Sequence, residues 1–116
     1  MPYNVPATLH YDGARDKDTV TFQRDGHTPA CPKVMIFDRK VPSANAPKES
    51  YRVRAISGSV DGNGAPRAIN TTVELVISSH MLTPNSEVQA CLSEVMAIAA
   101  AEGFAEMAIT QQRLPR

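Results

Sequence analysis

The chain has 116 residues, a length that suits one domain and is too short for two well-filled cores. Twelve Lys plus Arg balance twelve Asp plus Glu, which excludes a uniformly basic nucleic-acid coat and a polyacidic tail. Hydrophobic residues at 42% and charged residues at 21% are globular values, while nine Pro and no Trp favour strands joined by stiff turns over a helical bundle.

Val5 to Tyr11 and Thr19 to Arg24 are β-rich segments separated by Asp12-Gly13 and a charged stretch, so an N-terminal hairpin over 1–25 is expected. Asp25-Gly26, Pro29 and Pro32 break the chain before a third strand, Lys33 to Val41, which Pro42 closes. Residues 42–48 form a loop. Ser50 to Ile56 alternates, with Tyr51, Val53 and Ala55 on one face and Arg52 and Arg54 on the other. After a turn at Asp61-Gly62-Asn63-Gly64-Ala65-Pro66-Arg67, residues Ile69 to Ser78 alternate again. Thr71, Val73, Leu75 and Ile77 share one side; Asn70, Thr72, Glu74 and Val76 share the other. The two long strands are expected to pair as an antiparallel hairpin, within a main sheet over 33–79.

Thr83-Pro84 is a helix start, with Thr as cap and Pro at the first helical position. The predicted helix runs to about Glu102. Val88, Cys91, Leu92, Val95, Ile98 and Ala99 make its apolar stripe, and Cys91 reads as a small buried hydrophobe. Gly103 stops it, and Phe104 to Ile109 make a further short helix, so the C-terminal helices occupy 84–111. Strands followed by helices give an α+β class, with an antiparallel sheet of about five strands in a single domain over 1–116. One helix of about 19 residues, roughly 28 Å long, cannot cover such a sheet. A second copy would supply the missing cover, so an intimate homodimer is expected.

Charge is distributed unevenly. Between residues 33 and 67, Lys33, Arg39, Lys40, Lys48, Arg52, Arg54 and Arg67 outnumber Asp38, Glu49 and Asp61, whereas residues 68–112 contain no Lys or Arg. Two guanidinium groups at i and i+2 of one strand can hold successive phosphates, with Asn70 and Thr72 able to hydrogen-bond bases or sugars. A solvated strand face explains the same alternation, and the pattern leaves both readings open. Aromatic residues placed for base stacking in the manner of an RRM are missing.

Catalysis and metal binding find no support in the pattern. His10, His27 and His80 are scattered over strand, turn and strand end, and Cys31 and Cys91 lie sixty positions apart. The glycine-rich stretch at Asp61 lacks the Gly-Lys-Ser/Thr ending of a phosphate loop and the later ligands of an EF-hand. No enzyme activity, metal or cofactor is expected. The Met-Pro-Tyr-Asn start has no basic segment followed by an apolar one, and the run Met96 to Ala101 is far below bilayer length. A reducing compartment, no signal peptide and no membrane are therefore expected.

The whole ordered set resembles the coat proteins of single-stranded RNA bacteriophages of the levivirus type. The resemblance is carried by an N-terminal hairpin, then Lys33-Val-Met-Ile-Phe-Asp-Arg-Lys40, Tyr51-Arg-Val-Arg-Ala-Ile56, the Asp61 to Arg67 connection, Asn70-Thr-Thr-Val-Glu-Leu-Val-Ile77, and two helices ending near Gln111-Gln-Arg-Leu-Pro115. It implies an intertwined homodimer with a continuous sheet, whose helices pack over the partner, and dimers that close into an icosahedral shell around single-stranded genomic RNA. The implied setting is the virion, assembled in the bacterial host cytoplasm.

On this resemblance the sheet face opposite the helices points inward and binds RNA, including an operator hairpin through which the coat represses replicase translation. Arg39, Arg52, Arg54, Asn70, Thr72 and Glu74 would then face RNA. Val88, Cys91, Leu92, Val95 and Ile98 would form the dimer or core stripe, and Asp61 to Arg67 the loop between dimers. Met35 and Phe37 are expected at the inward positions of the third strand, where operator-binding family members carry hydroxyl and small polar side chains. The rival reading, from a different class, is a small cytosolic dimeric nucleic-acid-binding module that builds no shell.

Overall fold

A computed structural model of the chain describes residues 3–115. Met1, Pro2 and Arg116, which the expected bounds 1–116 and 1–25 include, lie outside the described residues. The chain divides into two compact units, Met1–Met81 and Leu82–Arg116.

The first unit is a five-stranded antiparallel meander in the order β1-β2-β3-β4-β5. Its strands are β1 (Leu9–Asp16), β2 (Thr19–Arg24), β3 (Lys33–Lys40), β4 (Lys48–Ser57) and β5 (Thr71–His80). Four match the expected segments to within two residues at either end. The first strand does not: it continues through Asp12-Gly13 to Asp16, and the β1–β2 turn is confined to Lys17-Asp18, within the charged turn expected there. Gly13 is absorbed as a register irregularity inside β1, where its φ of +152° suits a residue without a Cβ. The Asp16 side chain then accepts the Asp18 N–H at 2.8 Å and closes the turn.

Directly paired residues share a face, so the cross-strand register sorts every strand side chain. One face is mostly apolar and includes Val20, Phe22, Met35, Phe37, Tyr51, Val53, Ala55, Val73, Leu75 and Ile77. Aromatic rings run along it: Tyr11 on Phe22 at 5.7 Å, Phe22 on Phe37 at 5.6 Å, and Tyr3 from the N-terminal segment on Phe37 at 6.5 Å. The other face carries Thr19, Thr21, Val34, Ile36, Asp38, Arg52, Arg54, Ile56, Thr72, Glu74 and Val76.

The second unit contains α1 (Asn85–Ala100) and a single π-helical turn, Glu106–Gln111, which Gln112 ends in the left-handed conformation at φ 50°. Thr83 is not the helix cap. Pro84 occupies the cap position, where its carbonyl accepts the N–H groups of Glu87 and Val88, and no side chain caps the helix. Gly103, at φ +85°, reverses the chain between the helix and the turn. Among the described residues, no helix is long and apolar enough to cross a membrane.

Core formation is the unusual feature. Among the described hydrophobic residues only Ile36 is buried, and no residue of α1 is buried. Val88 and Leu92 are half-buried, whereas Cys91, Val95 and Ile98 are exposed, so Cys91 is not an internal hydrophobe. The chain exposes 9026 Å². A folded monomer of this mass is expected to expose about 6,200 Å². The excess is about 2,800 Å² per chain, or about 5,600 Å² for two copies, which is at the upper end of total burial in large obligate interfaces.

Candidate nucleic-acid interface

The candidate site is built by β3, β4 and β5. Arg52 pairs across the sheet with Asp38 on one side and Val76 on the other; Arg54 pairs with Ile36 and Glu74; Ile56 pairs with Val34 and Thr72. The alternation of β4 thus brings Arg52, Arg54, Thr72 and Glu74 onto one face, as the period-two pattern requires.

Two expected members depart from that set. Arg39 pairs with Tyr51 and lies on the opposite, apolar face, where its Nε donates to Asp18 Oδ1 at 3.1 Å. There it lines a groove of about 340 Å³ with Lys17, Asp18, Val20, Phe37, Asp38 and Tyr51. Met35 and Phe37 share that apolar face, so the expected orientation of β3 is reversed: Val34, Ile36, Asp38 and Lys40 accompany the arginines. Asn70 immediately precedes β5 and lies outside the ladder.

Asp38 is the residue that the pattern missed. Its carboxylate accepts Arg52 Nε at 3.2 Å and 3.1 Å and Arg52 Nη2 at 2.8 Å, a forked charge-assisted pair. Arg54 Nη2 lies 3.9 Å from the same carboxylate. The hydrogen bond to Asp38 raises the Arg52 pKa above its ordinary value, against desolvation and with further help from the charges of Asp38 and Glu74, so its positive charge is permanent near neutrality. Arg54 Nε is buried without a hydrogen-bond partner. Ile36, which is buried, lies between Thr21 and Arg54 in the same cross-strand row. Charges on this face nearly cancel: Lys40, Lys48, Arg52 and Arg54 face Asp16, Asp38 and Glu74.

The connection between β4 and β5 is ordered. Asp61 Oδ1 accepts the N–H groups of Asn63 at 2.8 Å and Ala65 at 3.1 Å, Asp61 N–H donates to the Ala65 carbonyl at 2.9 Å, and Val60 bridges Pro66. The loop Asp61 to Arg67 is therefore a small folded projection that leaves Gly62, Asn63, Gly64, Ala65, Pro66 and Arg67 exposed. The histidines stay separate. His10 Nε2 is 2.8 Å from Asp25 Oδ1, His27 Nδ1 accepts the Lys33 N–H at 3.0 Å, and His80 ends β5.

No family model and no curated protein matches the sequence. Solved structures do. The virus-like particle of Wenzhou levi-like virus 4 superposes with a TM-score of 0.75 over 99% of this chain and 81% of that one, at 14% identity. That of Beihai levi-like virus 32 gives 0.71 over 93% and 88%, at 16% identity. That of bacteriophage ESE020 gives 0.72 over 89% and 83%, at 17% identity. The chain has the levivirus-type coat-protein fold. At such identities the likeness is one of fold.

Proposed function

We propose that the chain is the coat subunit of a single-stranded RNA virus of the levivirus type, with a structural and not a catalytic role. The observation that carries this reading is the superposition of 99% of the chain on a subunit of a virus-like particle. The missing core supports it independently. Val88, Cys91, Leu92, Val95 and Ile98 line a helix with no buried residue, and a second copy laid across the apolar sheet face would cover both surfaces at once.

In this reading two copies form an intertwined dimer with a continuous sheet, and dimers close into an icosahedral shell found in the virion and assembled in the host cytoplasm. Burial of the apolar face leaves the face of Arg52, Arg54, Thr72 and Glu74 turned toward packaged single-stranded RNA. Thr19, Thr21, Ser50 and Thr72 add hydroxyl groups to the same face, which suits contacts to bases of an operator hairpin and hence translational repression. The folded projection Asp61 to Arg67 serves as the contact between dimers. Arg39 has no part in RNA contact, because it lies on the covered face.

Expression of the full chain alone tests the proposal. Electron microscopy and size-exclusion chromatography are expected to show closed particles with the absorbance of enclosed host RNA. A monodisperse dimer without nucleic-acid absorbance at near-physiological salt and pH refutes it.

A further inference from the structure

We infer that Asp38 is a built-in competitor for RNA phosphate at Arg52, so that Arg54 makes the principal phosphate contact of the sheet face while Arg52 is held in reserve. The inference rests on the RNA-facing reading of this surface. The two arginines are not equivalent. Both belong to β4 and project to the same face, yet the Arg52 fork is engaged by Asp38 from the adjacent position of β3 at 2.8–3.2 Å, whereas Arg54 reaches that carboxylate only at 3.9 Å.

A phosphate and a carboxylate present the same chemistry to a guanidinium: an anion with two oxygens spaced for a forked pair of N–H donors. Asp38 takes the Nε–Nη2 edge of Arg52, so a phosphate can use that edge only by displacing it. A phosphate that takes this edge leaves the Asp38 carboxylate unpaired beside it, and one that takes the remaining Nη1–Nη2 edge meets a charge Asp38 already neutralises, so either way much of the gain is offset. Arg54 carries no such competitor at hydrogen-bond distance on β3; Glu74, its partner on β5, contributes a more distant negative charge. Asp38 thereby weakens the face for RNA in general and reduces the number of phosphates that it neutralises. Asp38 also makes the Arg52 position responsive to anion strength: a phosphate that brings additional contacts from neighbouring nucleotides wins the exchange, and an isolated one does not.

The test uses the full-length protein and an unstructured oligouridylate, with affinity measured over a salt series. Asp38→Asn keeps the shape of the side chain and removes the charge. It is expected to tighten binding by at least about threefold and to steepen the slope of log affinity against log salt by about 0.7, the increment of one added phosphate contact on a single strand. In the parent, Arg54→Ala should flatten the slope more than Arg52→Ala. The gain from Asp38→Asn should vanish when Arg52→Ala is added. Persistence of the gain in the Arg52→Ala background would mean that Asp38 acts only through bulk charge, and this overturns the inference. So does unchanged or weaker binding by Asp38→Asn while Arg54→Ala still weakens it. Should Asp38→Asn fail to fold, Asp38→Ser provides the same comparison. A different failure marks the underlying reading: if the double change Arg52→Ala, Arg54→Ala leaves affinity and slope unaltered, this face does not bind RNA at all.

Discussion

Gly58 is the glycine most closely approached by neighbouring atoms, and Gly58→Ala measures how rigid that place is. The residue is buried where the end of β4 passes the Cys31-Pro32 segment. Its N–H donates to the Pro32 carbonyl at 2.7 Å, and its own carbonyl accepts Lys33 Nζ at 2.6 Å. A Cβ at Gly58 would lie 2.8 Å from Pro32 Cδ, 3.0 Å from Cys31 Cα and 3.1 Å from Pro32 N. Two of these are backbone atoms and the third belongs to a proline ring, so none can turn aside as a flexible side chain would. Overpacking of this kind costs about 1–3 kcal/mol. Separation of the two segments would also lengthen hydrogen bonds worth about 0.5–1.5 kcal/mol each. The opposing gain from a less flexible unfolded chain is only about 0.4–1 kcal/mol. The net expectation is a loss of about 1–3 kcal/mol, or a fall in melting temperature of roughly 4–12 °C for a chain of this size.

Thermal and guanidinium unfolding of parent and variant, compared at one protomer concentration because association contributes to stability, provide the measurement. In the Pro32→Ala background the nearest atom is gone while the backbone contacts remain. Gly58→Ala should therefore cost less there, and the two changes should be non-additive. A Gly58→Ala protein as stable as the parent would refute the close approach of the two segments in solution.

Leu92→Asp places a charge on the stripe assigned to the partner. It should abolish assembly and solubility together, checked by size-exclusion chromatography, and a stable folded monomer would place the interface elsewhere. The double change Arg52→Ala, Arg54→Ala should weaken binding to unrelated RNA sequences and flatten its salt dependence by about 0.7 for each phosphate that is no longer neutralised. Melting temperature should also fall by a few degrees, because the half-buried Asp38 loses its forked partner and the Arg54 stem is removed.

Much of this architecture is legible in the sequence because strand and helix periods differ and turn residues punctuate them. Period-two alternation in Ser50 to Ile56 and Ile69 to Ser78 suffices to put Arg52, Arg54, Thr72 and Glu74 on one face. The apolar stripe from Val88 to Ile98 likewise identifies a helix in need of a covering surface. Cys91, Val95 and Ile98 of that stripe are exposed.

Other features required tertiary structure. Asp12-Gly13 has turn composition, but continued pairing with β2 holds it in the strand as an irregularity, and the turn forms at Lys17-Asp18. Thr83 has capping chemistry, yet α1 begins one residue later, with Pro84 at the cap. The orientation of β3 was undetermined for a simple reason: Val34 and Ile36 alternate with Met35 and Phe37, so both faces are apolar and the period carries no sign. Only the pairing of Asp38 with Arg52 and of Arg39 with Tyr51 decides it. That register sends Arg39 to the apolar face and brings Asp38 to the arginines. Hydropathy along one strand reports burial, whereas which charges meet depends on how neighbouring strands align.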